Sequence, residues 1–341
     1  MTGIILSTAV NAVFPIVLLI FLGYFLRRIG FLTENFVKVG NKLVFRLCLP
    51  ATLFVNVYEM DSMASVPWNV VLYCTGAIIV LFLLGMAVSV ATTKDNRRRG
   101  VIWQCSFRSN FAIIGISLST ALGGDLAAAV GAILLTLMVP LFNVFAVIAL
   151  EYFTEDSSGH KHTARKMILD ILKNPLVIAV FLGLGCMGIR ALQKMLLGNV
   201  VFTLNRDLAF LYTVVKNLKS LATPLALLVL GGQFQFSVVK GMFKEIAVGT
   251  LYRVVLAPLL GVGCAILLSR CTSWLSCGPE SIPAMLALFG SPVAVSSAVM
   301  AGEMGGDEQL AAQLVVWTSI ASIVTIFVFS CILMSAGLIA V

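Results

Sequence analysis

Apolar runs long enough to cross a lipid bilayer follow one another along almost the whole chain. A membrane-spanning helix requires about 20 apolar residues. Of the 341 residues, 60% are hydrophobic and 11% are charged, whereas soluble domains have roughly 25% charged residues. Because so few polar side chains cannot cover the surface, lipid must form part of the solvent. The sequence therefore predicts an all-α polytopic membrane protein.

Charged or turn-rich gaps divide the apolar runs into about ten transmembrane helices. We place them near residues 4–28, 36–58, 67–92, 100–122, 126–152, 174–192, 207–232, 241–269, 281–303 and 307–337. The first helix lacks a basic leader and a small-residue cleavage site, so we expect it to be retained. Residues 1–153 and 174–341 then form two five-helix halves of one membrane domain, joined by a polar cytoplasmic linker at 154–173.

Lysine and arginine concentrate in alternate gaps, such as Lys94–Arg99 and Lys161–Lys173. Cytoplasmic loops have an excess of these residues. We therefore expect these gaps to be cytoplasmic and both termini to lie outside the cell membrane. The net charge of +8 mostly reflects this bias. A nucleic-acid partner is not expected, because no soluble face is available to bind one.

The two halves of the chain resemble each other. The matching segments are Pro15–Gly23 with Pro175–Gly183, Pro50–Val55 with Pro224–Val229, and Gly123–Asp125 with Gly305–Asp307. Since each half has five helices, an odd number, the halves would enter the membrane from opposite sides. Inverted repeats of this kind are common in secondary transporters.

Helices four and nine have Gly, Ser and Pro near the middle of their spans, and the repeat relates these clusters. Such helices are often discontinuous, and the substrate then lies at the break. We therefore predict that helices four and nine are broken and crossed. The alternative is that these small residues only allow close helix packing. The predicted substrate site consists of Arg108, Ser109, Asn110, Gly115 and Ser117 on helix four and Ser291, Pro292, Ser296 and Ser297 on helix nine.

Arg46, Arg108 and Arg253 lie inside predicted spans, where no Asp or Glu is found at similar depth. An unpaired charge in a membrane is costly. These arginines would line a water-filled path for anions, extend to the inner surface, or bind carbonyl groups. Arg108 is nearest a predicted break, so we expect it to contact the substrate. Pro50 and Pro224 are expected to kink scaffold helices two and seven.

No nucleophile–base pair, metal-binding motif or phosphate-binding loop is found, so neither an enzyme nor a cofactor is expected. Whether transport is coupled to an ion, Na⁺ or H⁺, is left open. Cys271 and Cys277 flank a short loop and could pair if that loop faces an oxidising compartment, so their pairing is left open. His160 and His162 lie in the polar linker, where solvated side chains are expected.

Several motifs together resemble the auxin efflux carrier family, whose bacterial members include permeases for malate and malonate. The motifs are Asn174-Pro175-Leu176, Ala222–Gly232, Arg108-Ser109-Asn110-Phe111 with Gly115, and Ser291–Ser297 before Gly306-Asp307. The resemblance implies two crossed helices, a scaffold of helices one, two, six and seven, and an elevator-like motion of the remainder. Plant members have Pro at the crossovers, where we place Ser117 and Ser297. Their long cytoplasmic loop is replaced here by Tyr152–Lys173.

The leading hypothesis is a carrier of small organic anions, especially carboxylates, in the lipid bilayer. One alternative is a sodium-coupled symporter of larger amphipathic acids, resembling the bile-acid carriers. Another is a transporter-like sensor that binds its ligand without moving it. A homodimer is compatible with all three hypotheses. The sequence does not distinguish import from export, nor does it identify the substrate.

Overall fold

The computed structural model describes residues 2–59, 67–153, 172–272, 274–275, 277–278 and 280–339. Within these residues the regular structure is helical, apart from an isolated β-bridge between Ser109 and Val293. The helices are α1 (Thr2–Arg28), α2 (Glu34–Leu43), α3 (Leu49–Tyr58), α4 (Trp68–Thr92), α5 (Asn96–Phe107), α6 (Phe111–Glu151), α7 (Pro175–Leu197), α8 (Leu204–Asp207), α9 (Ala209–Gln233), α10 (Phe243–Leu251), α11 (Cys264–Cys271), α12 (Ile282–Gly290), α13 (Ser296–Glu303) and α14 (Glu308–Ser335).

Several helical stretches are long and apolar enough to cross a membrane. They are Trp68–Thr92, Leu118–Glu151, Pro175–Leu197, Ala209–Gln233, Ser237–Cys271 and Glu308–Ser335. Large apolar side chains on them, such as Leu83, Phe210 and Val324, are exposed, as expected for surfaces that face lipid. The prediction of an all-helical, multi-pass membrane protein is therefore confirmed. The predicted linker falls mostly at 154–171, outside the described residues, together with both histidines.

Helices α2 and α3 continue into each other through a π turn at Val44–Cys48. This turn precedes Pro50, which has no backbone N–H to donate. The wider i→i+5 hydrogen bond, from the Leu49 N–H to the Val44 carbonyl, accommodates the proline without breaking the helix. A π turn at Tyr252–Leu256 precedes Pro258 in the same way. The proline kink predicted in helix two is thus a π turn.

Helix α1 packs against α9, and α7 packs against α3. Glycine allows the backbones to approach closely in both pairs. A β-carbon at Gly23 of α1 would meet the carbonyl group of Leu228 on α9. A β-carbon at Gly183 of α7 would meet the carbonyl group of Phe54 on α3. Helix α9 also packs against α3, so these four helices form one connected group.

Two helical breaks meet inside the molecule. Helix α5 ends at Phe107 and α6 begins at Phe111, while α12 ends at Gly290 and α13 begins at Ser296. Between them, Ser109 and Val293 form the antiparallel bridge, and the Asn110 N–H donates to the Pro292 carbonyl over 2.8 Å. The non-helical backbone of each segment is therefore partly satisfied by the other.

The first break lies at Arg108–Asn110 and not at Ser117, so the predicted crossover position on helix four was wrong. Residue 117 belongs to the continuous part of α6. Small polar residues there can be satisfied within the helix, as when Ser119 donates to the Gly115 carbonyl over 2.7 Å. The helical geometry of α6 is next interrupted at Gly124, where φ is +67°. This interruption agrees with the predicted boundary between helices four and five.

Candidate functional site

A cavity of about 80 Å³ lies beside the first break, between α3 and α9 on one side and the breaks on the other. We call it the crossover cavity. Its apolar lining includes Leu49 and Leu53 of α3, Phe142 of α6 and Ala226 of α9. Its polar lining consists of Thr52, Arg108, Ser109, Asn110, Asn143, Thr223 and Ser296. The structure thus brings four of the predicted site residues together: Arg108, Ser109, Asn110 and Ser296.

Arg108 is only 2% exposed and lines the crossover cavity. Its guanidinium donates to Asn143 Oδ1 over 2.6 Å and to Ser296 Oγ over 2.7 Å. It also contacts Gln104 Oε1 and Met300 Sδ. All of these described partners are uncharged, so they orient the guanidinium without neutralising it. A buried positive charge at a cavity wall attracts an anion.

Two buried polar groups of the cavity lining have no hydrogen-bond partner among the described residues. They are the side-chain nitrogen of Asn110 and the hydroxyl of Ser109. Both residues are 3% exposed. An unsatisfied buried polar group destabilises a protein by about 1–3 kcal/mol, so such groups usually indicate a missing partner. An anion with several acceptor oxygens would accept a hydrogen bond from the Asn110 nitrogen and another from the Ser109 hydroxyl.

The orientation of the broken helices adds positive potential to the cavity. Asn110 immediately precedes α6, and Ser296 is the first residue of α13. Helix N-termini have unpaired N–H groups and a partial positive charge. Since both residues line the cavity, two helix N-termini converge where Arg108 also lies. This combination suits a carboxylate or another small anion.

Arg253 lies beside the C-terminal ends of α5 and α12, the two helices that precede the breaks. It is fully buried, and its guanidinium donates only to backbone carbonyl groups. Its acceptors are Ser106, Phe107, Leu288, Phe289 and Ser291, at 2.9–3.4 Å. These carbonyls belong to the C-terminal ends of α5 and α12, which are partly negative. Arg253 therefore satisfies the helix ends that the two breaks create.

The other predicted residues lie outside the cavity lining. The Ser291 hydroxyl donates back to the Ala287 carbonyl over 2.5 Å, and Pro292 contributes its carbonyl to the bridge region. Ser297 is buried, and its carbonyl accepts from Gln104. A β-carbon at Gly115 would meet the Phe111 ring. The Ser117 side chain lies outside the described part of the chain.

Arg46, Pro50 and Pro224 are also not among the residues that line the crossover cavity. Arg46 is exposed on the π turn between α2 and α3. The two prolines are near the cavity in sequence, but Thr52 and Thr223 provide the lining on those helices. Cys271 and Cys277, whose pairing was left open, are free thiols in the structure.

Sequence reasoning missed Asn143, Thr52 and Thr223. Asn143 is 5% exposed, and its Nδ2 donates to the Val139 carbonyl over 2.7 Å, which leaves its oxygen for Arg108. An asparagine in an otherwise apolar run is itself a signal, since polar side chains inside membranes usually contact one another. The two threonines were harder to identify, because threonine commonly donates back to its own helix, as Thr52 does to the Cys48 carbonyl.

Comparison with known proteins agrees with this architecture. The sequence matches the family described as membrane transport protein over residues 8–330. It is also similar to an uncharacterised transporter of Methanocaldococcus jannaschii, with 24% identity over 257 residues, which cover 73% of this chain and 76% of that relative. The chain therefore belongs to the membrane transport protein family, which confirms its predicted relationship to the auxin efflux carriers.

Proposed function

We propose that the protein is a secondary carrier that moves small organic anions, in particular carboxylates, across the cell membrane. The substrate binds in the crossover cavity. Helices α1, α2, α3, α7 and α9 act as a scaffold, and helices α4–α6 and α10–α14 act as a mobile bundle that moves the substrate relative to it. The observation that supports this most strongly is the buried Arg108, with uncharged partners, at two converging helix N-termini.

A carboxylate would complete this arrangement. Its two oxygens accept several hydrogen bonds, and its charge balances the guanidinium. The Asn110 amide and the Ser109 hydroxyl are buried donors without described partners, so they gain an acceptor on binding. An amine or a neutral sugar would leave the Arg108 charge uncompensated. We therefore favour anionic substrates over other solutes.

Related contacts in the two halves support an inverted repeat of ten helices. In the register of the sequence matches, Gly23 corresponds to Gly183, and Leu228 corresponds to Phe54. The contact of Gly23 with the Leu228 carbonyl is thus repeated as the contact of Gly183 with the Phe54 carbonyl. The two breaks also pair with each other. Alternating access by motion of one part against the other is typical of such repeats.

The position of the cavity supports an elevator-type motion. Leu53 of α3 and Ala226 of α9 form its scaffold wall, and Arg108 and Ser296 form its bundle wall. The groups that would bind the anion most strongly are on the bundle, whereas the scaffold wall is mostly apolar. A substrate bound in this way can move with the bundle and slide along the scaffold.

The test is substrate binding and flux by the purified protein in liposomes, with a panel of small carboxylates. Arg108→Gln and Asn110→Ala should each weaken binding about ten-fold or more, since a hydrogen bond to a charged group contributes roughly 1.5–3 kcal/mol. Arg270→Gln is the matched control, because Arg270 is an exposed arginine at the end of α11. Unchanged affinity in a well-folded Arg108→Gln variant would exclude this site.

The same experiment separates the alternatives. Binding without flux would indicate a sensor. Flux that requires sodium and prefers large amphipathic acids would indicate a symporter similar to the bile-acid carriers. Flux of small carboxylates without a sodium requirement is the result that we expect.

A further inference from the structure

A second polar cluster lies where α2 of the scaffold contacts α13 of the bundle, next to the start of α14. Asn41 of α2 is 3% exposed. Its Nδ2 donates to the Val299 carbonyl and to Glu303 Oε1, at 3.3 Å each. A β-carbon at Gly302 would lie 2.8 Å from Glu308 Oε1 and 3.0 Å from Asn41 Nδ2, so Glu308 faces the same point. We call Asn41, Glu303 and Glu308 the interface cluster.

Among the described residues, no group donates a hydrogen bond to the buried side-chain oxygen of Asn41. Its neighbours in the cluster are carboxyl groups, which only accept hydrogen bonds when ionised. A protonated carboxyl group, by contrast, has an O–H that can donate to this oxygen. One added proton would therefore satisfy Asn41 and also relieve the repulsion between the two carboxylates.

The charged groups around the cluster are mostly engaged elsewhere. Lys38 of α2 forms an ion pair with Glu34 over 2.7 Å. Arg97 of α5 donates to the carbonyl groups of Gly305 and Gly306. Asp307, which adds negative charge beside Glu308, is bound by Arg98 over 3.1 Å. Burial opposes ionisation of Glu308 most strongly, Glu303 and Asp307 also oppose it, and Arg97 and Lys38 favour it.

We propose that the interface cluster is a proton-binding site that joins the scaffold to the bundle. A proton from the adjacent aqueous phase binds to one oxygen of the Glu303–Glu308 pair and forms a neutral carboxyl group, which donates to Asn41 Oδ1. No other bond is made or broken. Protonation strengthens the contact of α2 with the bundle, and deprotonation weakens it. The role of this cluster in coupling rests on the proposed carrier function, because the proton would act by changing the motion of the bundle.

The proton site is tested without any substrate. Infrared difference spectra of the full-length protein in liposomes, recorded as the pH is changed across the neutral range, report the C=O stretch of a protonated carboxyl group. We expect wild type to show such a band and both Glu303→Gln and Glu308→Gln to lose it. Glu34→Gln, which changes an exposed carboxylate of α2, should retain it. A band that persists in both cluster variants, or no band in wild type, would overturn the proposal.

Coupling is tested by the pH profile of flux. Wild-type flux should vary with pH, and flux through Glu308→Gln should not, because glutamine donates to Asn41 at every pH. Glu34→Gln should keep the wild-type profile. If the carboxylate carrier hypothesis fails, flux is absent in every variant, yet the infrared titration still decides whether the proton site exists. Flux that varies with pH equally in wild type and Glu308→Gln would contradict coupling at this cluster.

Discussion

Arg108 and Arg253 are both buried arginines, but their surroundings give them different roles. Arg253 donates to carbonyl groups at the C-terminal ends of α5 and α12. Arg108 lies at the N-terminal ends of α6 and α13, where it contacts uncharged side chains. A cation at helix C-termini is compensated by the partial negative charges there, whereas a cation at helix N-termini is not. Of these two arginines, Arg108 therefore has the uncompensated positive charge and can attract an anion.

Replacing Arg253 should destabilise the fold. Arg253→Gln would leave several of its five carbonyl acceptors buried without donors, at a cost of about 1–3 kcal/mol for each group. Arg253→Lys should restore little, because an ammonium group cannot reach the fork of acceptors that a guanidinium spans. The measurement is the thermal unfolding midpoint of the purified protein. Arg46→Gln is the control, since Arg46 also lies on a π turn but is exposed; an equally small loss for both would contradict this role.

At the scale of helices, glycine determines how closely the scaffold elements approach. Gly231 of α9 faces the Ile20 carbonyl and the Tyr24 N–H of α1, which leaves no room for a β-carbon. In membranes, helices associate through such close packing, because lipid is as apolar as the side chains and provides no hydrophobic driving force. The α1–α9 contact thus depends on a glycine of the Ala222–Gly232 motif.

Gly231→Ala should separate α1 from α9 and lower stability by about 1–3 kcal/mol, the usual effect of overpacking. Gly76→Ala on α4 is the matched control, because a β-carbon there would meet no atom within 4 Å. Alanine also favours helix relative to glycine, so the control should be neutral or slightly stabilised. Thermal unfolding midpoints of both variants provide the comparison. Equal midpoints would show that the close contact is dispensable.

Across the whole molecule, charged clusters mark the two ends of the helices. Arg98 joins Glu245 and Asp307 at 3.0 and 3.1 Å at one end. Near the other end, Glu59 contacts Lys219 over 3.2 Å. Burial disfavours ionisation of Glu59, but hydrogen bonds from Tyr212 and Lys219 outweigh it and lower the pKa of this carboxyl group. The sequence predicts that the Arg98 cluster lies near the cytoplasmic ends of the spans and the Glu59 cluster near their outer ends.

The bias in lysine and arginine predicts that both termini lie outside the cell. A short epitope tag at either terminus should therefore bind antibody on intact cells. The same tag inserted after Ser157, in the predicted cytoplasmic linker, should bind only after permeabilisation. Terminal tags that need permeabilisation, with a linker tag that does not, would reverse the assigned orientation.

The sequence alone determined that this chain is a multi-pass helical membrane protein of a transporter family. Those conclusions depend on composition, on the length of apolar runs and on motifs, all of which are local properties. It also indicated Arg108, Ser109, Asn110 and Ser296, because polar residues in apolar spans are conspicuous. The sequence misplaced the first crossover at Ser117, since serine can be satisfied inside a helix and does not by itself break one.

Only the tertiary structure decided which of the buried arginines lines the cavity beside helix N-termini. Arg108 and Arg253 look alike in sequence, and their difference depends on which helix ends lie beside each side chain. The roles of Asn143 and Asn41 likewise follow only from their hydrogen-bond partners, which lie more than 30 residues away along the chain. Contacts of this kind arise when distant helices pack together, so no local pattern of residues encodes them.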